Sequence, residues 1–131
     1  MKKKTQTWYE LAKNDMDFAE SLKDKKTRNY YCVHFCHQAI EKILKAIVQE
    51  FTGEMPLRTH NLINLVKQSH LKLSKERENF ILRLSPHYIG TKYPEDIDEL
   101  YKTYSRQFVK ATFNETKELF QWLQEKLILQ K

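Results

Sequence analysis

Residues 29–51 read NYYCVHFCHQAIEKILKAIVQEF, and this stretch decides the fold. Tyr31, Cys32, Phe35, Cys36, Ala39, Ile40, Ile43, Leu44, Ile47 and Phe51 recur at three- and four-residue steps. At 3.6 residues per turn they form one apolar stripe along a long helix. Gly53 follows where a helix can end in a left-handed residue, and Pro56 prevents the helix from resuming.

Working outward, residues 7–23 predict a first helix with Trp8, Leu11, Ala12, Asp15, Phe18, Ala19 and Leu22 on one stripe. The polar run KDKKTR at 23–28 ends that stripe and reads as a solvated turn. Beyond Pro56, Thr59 or Asn61 can cap a short helix that carries Leu62, Ile63, Leu65 and Val66. Ser74 can cap the next, in which Phe80, Ile81 and Leu84 face inward and Pro86 disturbs the end. After the loop SPHYIGTKYPED, Pro94 suits a first helical position, and Glu95, Asp96 and Asp98 favour the positive helix end. A single last helix is predicted over 95–127, lined by Ile97, Leu100, Tyr101, Tyr104, Phe108, Ala111, Leu119, Trp122, Leu123 and Leu127. There is no internal repeat. The expectation is an all-α, antiparallel up-down helical bundle of about five helices, two of them long, in one domain over 1–131 with its core at 8–127.

Composition agrees. The chain has only two glycines and three prolines, all between Gly53 and Pro94, so it lacks the turn formers of an all-β fold. The 23 basic and 17 acidic residues give a net charge of +6, which suits acidic partners but selects none. Cys32 and Cys36 are too few for a disulfide framework and read as two small buried side chains in a reducing compartment. The opening MKKKTQTWYELAK lacks the apolar core of a signal peptide, and no segment approaches the ~20 apolar residues of a membrane span. A soluble cytoplasmic protein, with no membrane contact, is expected.

The cluster Cys32-Val-His34-Phe-Cys36-His37 uses metal-ligand residue types. A set of His34, His37 and Glu41 is geometrically available for zinc, but packed or surface histidines explain these residues more simply, and no metal or cofactor is expected. No phosphate-binding glycine loop and no Gly-x-Ser-x-Gly occurs. The segment 85–96 carries more information. It gathers His87, Tyr88, Gly90, Thr91, Lys92 and Tyr93 beside a helix start, where a cation between aromatics can meet a phosphate and a base. The alternative is a connecting loop whose tyrosines cover the end of the bundle.

Three segments, in order, resemble the HEPN family, helical domains named for proposed nucleotide binding. Phe35-Cys-His-Gln-Ala-Ile-Glu-Lys-Ile-Leu-Lys-Ala46 resembles the family's Gln-Ala-x-Glu-Lys-x-x-Lys-Ala helix, Thr59-His60-Asn61-Leu62 its Thr-His-x-Leu, and Tyr88-Ile-Gly-Thr-Lys92-Tyr93-Pro94-Glu95 its Tyr-x-x-x-Arg-Tyr-Pro-Asp. An Ala-x-x-Asp pair, Ala12 and Asp15, precedes them. The resemblance implies a helical bundle that forms homodimers and, in many members, a minimal nucleotidyltransferase as partner in a toxin–antitoxin or two-subunit system. Lys92 stands where the family commonly has Arg, which keeps the charge but loses the planar bidentate grip on phosphate. Many relatives are metal-independent ribonucleases with an Arg, four to six residues, then His. Arg28 and His34 fit that spacing but open the second helix, whereas Arg83 and His87 lie in the appropriate region with only three residues between them.

Two readings follow. In the first, a non-catalytic homodimeric module binds a nucleotide or RNA, or presents a surface to a nucleotidyltransferase. Lys92 and Lys45 take phosphate, Tyr88 or Tyr93 stacks on a base, and His60 hydrogen-bonds the loop or ligand. Gln38 and Glu41 share one surface of the second helix and orient its neighbours or the dimer. In the second, the chain is an endoribonuclease toxin whose active pair is Arg83 and His87.

Overall fold

The structure is a computed structural model that describes residues 1–87 and 97–129. Six helices and no strand occur among the described residues: α1 Lys3–Leu22, α2 Tyr30–Thr52, α3 Leu62–Ser69, α4 Lys75–Leu84, α5 Ile97–Thr103 and α6 Arg106–Leu129. None of these helices is long and apolar enough to cross a membrane.

The long helix read from residues 29–51 is the axis of the molecule. On α2, Cys32, Val33, Cys36, Ala39, Ile40, Ile43, Leu44, Ala46, Ile47 and Val48 are fully buried, because α1, α3 and α6 all pack on it. Its polar residues His37, Glu41, Lys45 and Gln49, spaced by four, are buried as well. A helix packed against on several sides buries both its apolar stripe and a polar row. The helix stops at Gly53, whose φ of 72° is left-handed and whose N–H reaches the Gln49 carbonyl.

α1 runs antiparallel to α2. At one end the Lys2 ammonium meets the Gln49 carbonyl at 3.2 Å, and midway Lys42 pairs with Asp15. α6 is antiparallel to α1: Lys110 faces Asp24 near its start, and Gln124 donates to the Tyr9 hydroxyl near its end. α3 packs on α2, and α4 packs on α3. Asn61 caps α3 and Ser74 caps α4, each side chain accepting from the N–H three residues on.

The structure corrects three expectations. α1 begins at Lys3 and buries Thr5, Tyr9, Ala12, Asp15 and Ala19, while Leu11 and Phe18 from the expected stripe are exposed. The single last helix is two, broken at Tyr104 and Ser105. The Ser105 hydroxyl accepts from the Phe108 N–H at 3.1 Å, so the helix restarts under a new cap. The restart also changes the phase: Val109, Thr112, Phe113, Thr116, Leu119, Phe120, Leu123 and Leu127 are buried, and Phe108 and Ala111 are exposed.

Candidate functional site

The residues singled out from the sequence fall into two groups. The first surrounds Glu41, which lies 4% exposed in the middle of α2. One carboxylate oxygen is 2.8 Å from His60 Nδ1 and 3.8 Å from His37 Nδ1; the other is 3.2 Å from Lys45 Nζ. Lys45 Nζ also sits 5.2 Å from the centre of the Trp8 ring on α1. One carboxylate therefore ties α2 to the segment before α3, and the cation beside it reaches α1. Burial pushes the His37 imidazole down to about 4, against the pull of the Glu41 charge and of the His60 backbone.

The local sequence explains why His60 arrives there. The Thr59 hydroxyl accepts from the Asn61 N–H, closing a turn. Asn61 caps α3, Leu62 is fully buried, and the Leu62 N–H donates to Ser85 at the end of α4. Within this four-residue turn, the imidazole between the threonine and the cap is left facing Glu41. The geometry therefore brings His60 and Lys45 together, with Glu41 as the hub and Trp8 as a neighbour. The Lys45 ammonium points to Glu41 and Trp8, which gives it a place in the framework. Lys42, its neighbour in the same helix, does the same with Asp15.

The second group lies at the C-terminal end of α4. Arg83 is 2.8 Å from Glu115 of α6 and rests near the Phe80 ring. Four residues later, His87 Nδ1 is 2.9 Å from the Tyr104 hydroxyl, and its ring packs edge-on to Tyr104 and beside Phe108. Burial raises the Tyr104 phenol, so it is a neutral hydroxyl near pH 7. The Tyr104 carbonyl takes the Asn29 side-chain amide at 3.1 Å, and the Tyr101 hydroxyl lies 3.5 Å from the Arg28 N–H. Arg28 itself is left-handed, with φ 63°, at the tight entry to α2. Tyr30 packs on both Tyr31 and Tyr101. An imidazole, a guanidinium-bearing residue and several phenols thus crowd this end of the bundle. Tyr88, Lys92 and Tyr93 lie outside the described residues. So does Pro94, with the helix start expected there.

Sequence reading missed Tyr104 and Phe108 as partners of His87, since both were assigned to a core stripe. It also missed Arg28 as a neighbour of Tyr101, and only the left-handed turn brings that pair together. Cys32 and Cys36 are free, buried and adjacent; the hydrogen bond between the two thiols and their burial raise the Cys32 thiol. Among the described residues, no group of three or more His, Cys, Asp or Glu side chains is arranged to hold a metal ion.

A long central helix flanked by an antiparallel hairpin partner, a capped helical pair and a returning terminal helix defines an all-α bundle. The HEPN domain family matches residues 5–127, nearly the whole chain, and the chain belongs to that family. Comparison with curated proteins and with solved structures returned no match.

Proposed function

We propose that this HEPN-family chain is a homodimeric binding module of the cytoplasm that takes a nucleotide or RNA at the His87 end of the bundle. It works beside a minimal nucleotidyltransferase in a toxin–antitoxin or two-subunit system. One observation carries the reading: His87, the last described residue before position 88, is held by Tyr104 and Phe108, with Arg28, Tyr30 and Tyr101 alongside. Aromatic faces can stack on bases, and cations can meet phosphate. Lys92 supplies phosphate contact and Tyr88 or Tyr93 stacking. His60 and Lys45 shape the neighbouring framework through Glu41. The homodimer is supported by the outer face of α1 and α2, where Phe18 is 56% exposed and stacks on Phe35 at 5.2 Å. Leu11 and Tyr31 extend the same apolar face.

Titration of the purified protein with ATP and with a short single-stranded RNA in EDTA, followed by product analysis, tests this reading. Saturable binding with intact RNA is expected. The absence of binding to either ligand overturns it. One observation favours a second reading, metal-independent RNA cleavage: the His87–Tyr104 hydrogen bond orients an imidazole as a general base requires, with Arg83 four residues earlier in the last turn of α4. Metal-independent cleavage products lost in His87→Ala would establish that reading instead.

A further inference from the structure

α4 and α6 lie side by side without close backbone packing. The space between them is an open trough of about 650 Å³. Phe80, Leu119 and Trp122 form its apolar floor. Its rim is acidic, with Glu76 on the α4 side and Glu115, Glu118 and Glu125 along α6. One cation, Arg77, lines the trough, and its guanidinium lies 4.3 Å over the Trp122 ring. Lys126 approaches the same indole at 5.2 Å. Arg83 closes one end through Glu115.

We propose that this trough docks a basic amphipathic helix of a partner protein, independently of the nucleotide reading. Charge complementarity carries the inference. The chain as a whole has a net charge of +6, yet four carboxylates gather around this one apolar strip. Those carboxylates repel phosphate, so the trough is not a nucleic-acid surface. They attract lysine and arginine, which the rest of the molecule repels. Arg77 on Trp122 shows what the trough accommodates: a guanidinium on an indole face beside carboxylates. The spacing along α6 fits a helix laid in a groove. Glu115 and Glu118 are one turn apart and Glu125 two turns further on, with Leu119 and Trp122 in the interval, so apolar anchors at three- and four-residue steps meet the floor while flanking cations meet the rim.

The test uses the full chain and two synthetic helical peptides of identical leucine pattern, one carrying lysine and the other glutamate at the polar positions. Isotope-labelled protein is titrated with each, and the shifted resonances are mapped. The lysine peptide is expected to move Phe80, Leu119 and Trp122, and to bind at least about tenfold more tightly than the glutamate peptide. Glu118→Lys with Glu125→Lys, two exposed positions, should remove that preference without changing the thermal melt. Trp122→Ala should weaken the lysine peptide through the floor instead. Equal binding of both peptides, perturbation confined to the α1–α2 face, or an unchanged affinity in the double reversal would each overturn the proposal. Self-association of the chain that the double reversal abolishes would overturn it in favour of a second copy as the occupant.

Discussion

Replacing Glu41 by alanine removes the carboxylate that holds Lys45 and His60. The structure sets the scale. At 3.2 Å, the Lys45–Glu41 attraction is about 5 kcal/mol with an effective dielectric near 20. The Lys45 side chain is only 11% exposed, so the ammonium left behind is poorly hydrated. Some relaxation along the Trp8 ring returns part of that cost, and the half-exposed His60 recovers a hydrogen bond to water. Breaking one partner of a buried pair costs about 3–5 kcal/mol, and relaxation places Glu41→Ala near the lower end, at about 3 kcal/mol. For a chain of this length that corresponds to about 10 °C in melting temperature. Urea denaturation followed by far-UV circular dichroism measures it. The double variant Glu41→Leu with Lys45→Met removes both buried charges and keeps the volume, so it should recover most of the loss. A Glu41→Ala variant within about 0.5 kcal/mol of the wild type would refute the reasoning, because such a value belongs to an exposed pair. A double variant as unstable as Glu41→Ala would refute it too, since the cost would then not be an unpaired lysine.

The His37 imidazole is held near 4 in the fold, below its ordinary 6.5, so the unfolded chain binds its proton more readily. Its contribution to stability is complete above pH 6.5 and is lost as the pH falls toward 4, by about 3 kcal/mol in all. Urea midpoints across that window should fall more steeply for the wild type than for His37→Gln, and parallel curves would sink the assignment. Tyr104→Phe removes the hydroxyl beside His87 and should weaken nucleotide or RNA binding by about threefold to tenfold while the fold persists, because one hydrogen bond is worth about 0.5–1.5 kcal/mol; calorimetric titration reads it, and unchanged affinity would remove Tyr104 from the site. Phe18→Asp places a charge on the exposed α1–α2 face and should convert a dimer to a 15.9 kDa monomer by light scattering with little loss of helix content; a dimer that survives would move the interface elsewhere. Glu115→Gln releases Arg83 at an exposed position, so the melt should stay within about 0.5 kcal/mol while low-salt affinity for RNA rises severalfold; no rise in affinity would separate Arg83 from the ligand surface.

Much of the framework was legible because periodicity reports burial. The stripe on α2, the left-handed Gly53 and the caps at Asn61 and Ser74 are local signals that the packing obeys. The failures were also physical. Ser105 reads as an ordinary polar residue inside a helix until its hydroxyl is seen to cap α6, and missing that cap shifted the predicted stripe onto Phe108 and Ala111. Phe18 looked like core because its spacing matched, yet α2 presents Phe35 near the surface at that level, and the two rings meet half in solvent. In the candidate site, Thr59 through Leu62 was legible as a unit, but the partner of His60 lies 19 residues earlier on α2. Glu41 was weighed first as a metal ligand and as an orienting group, and spacing along one helix could not choose between them. Long-range pairs such as His87 with Tyr104 and Arg83 with Glu115 leave no trace in local pattern.

The charges of the motifs then bear on where function resides. Glu41 with Lys45, and Asp15 with Lys42, cancel one another inside the helical framework, so the residues that most resemble a binding signature are engaged before any ligand arrives. What remains for recognition is the unbalanced surface, and it is divided by sign. The end of the bundle around Arg28 and His87 carries cationic and aromatic side chains, the proposed anion site, whereas the α4–α6 trough carries carboxylates and an indole, the proposed site for a cation. Arg83 stands at the boundary, paired with a rim carboxylate of the trough and four residues before His87, which lies past the end of α4. On the two proposals, cationic groups entering the trough would compete with Arg83 for Glu115, and an anion at the His87 end would compete with Glu115 for Arg83. If both proposals hold, the two exchanges would draw the guanidinium the same way, so occupation of one surface would favour the other through one exposed ion pair whose own contribution to folding is small.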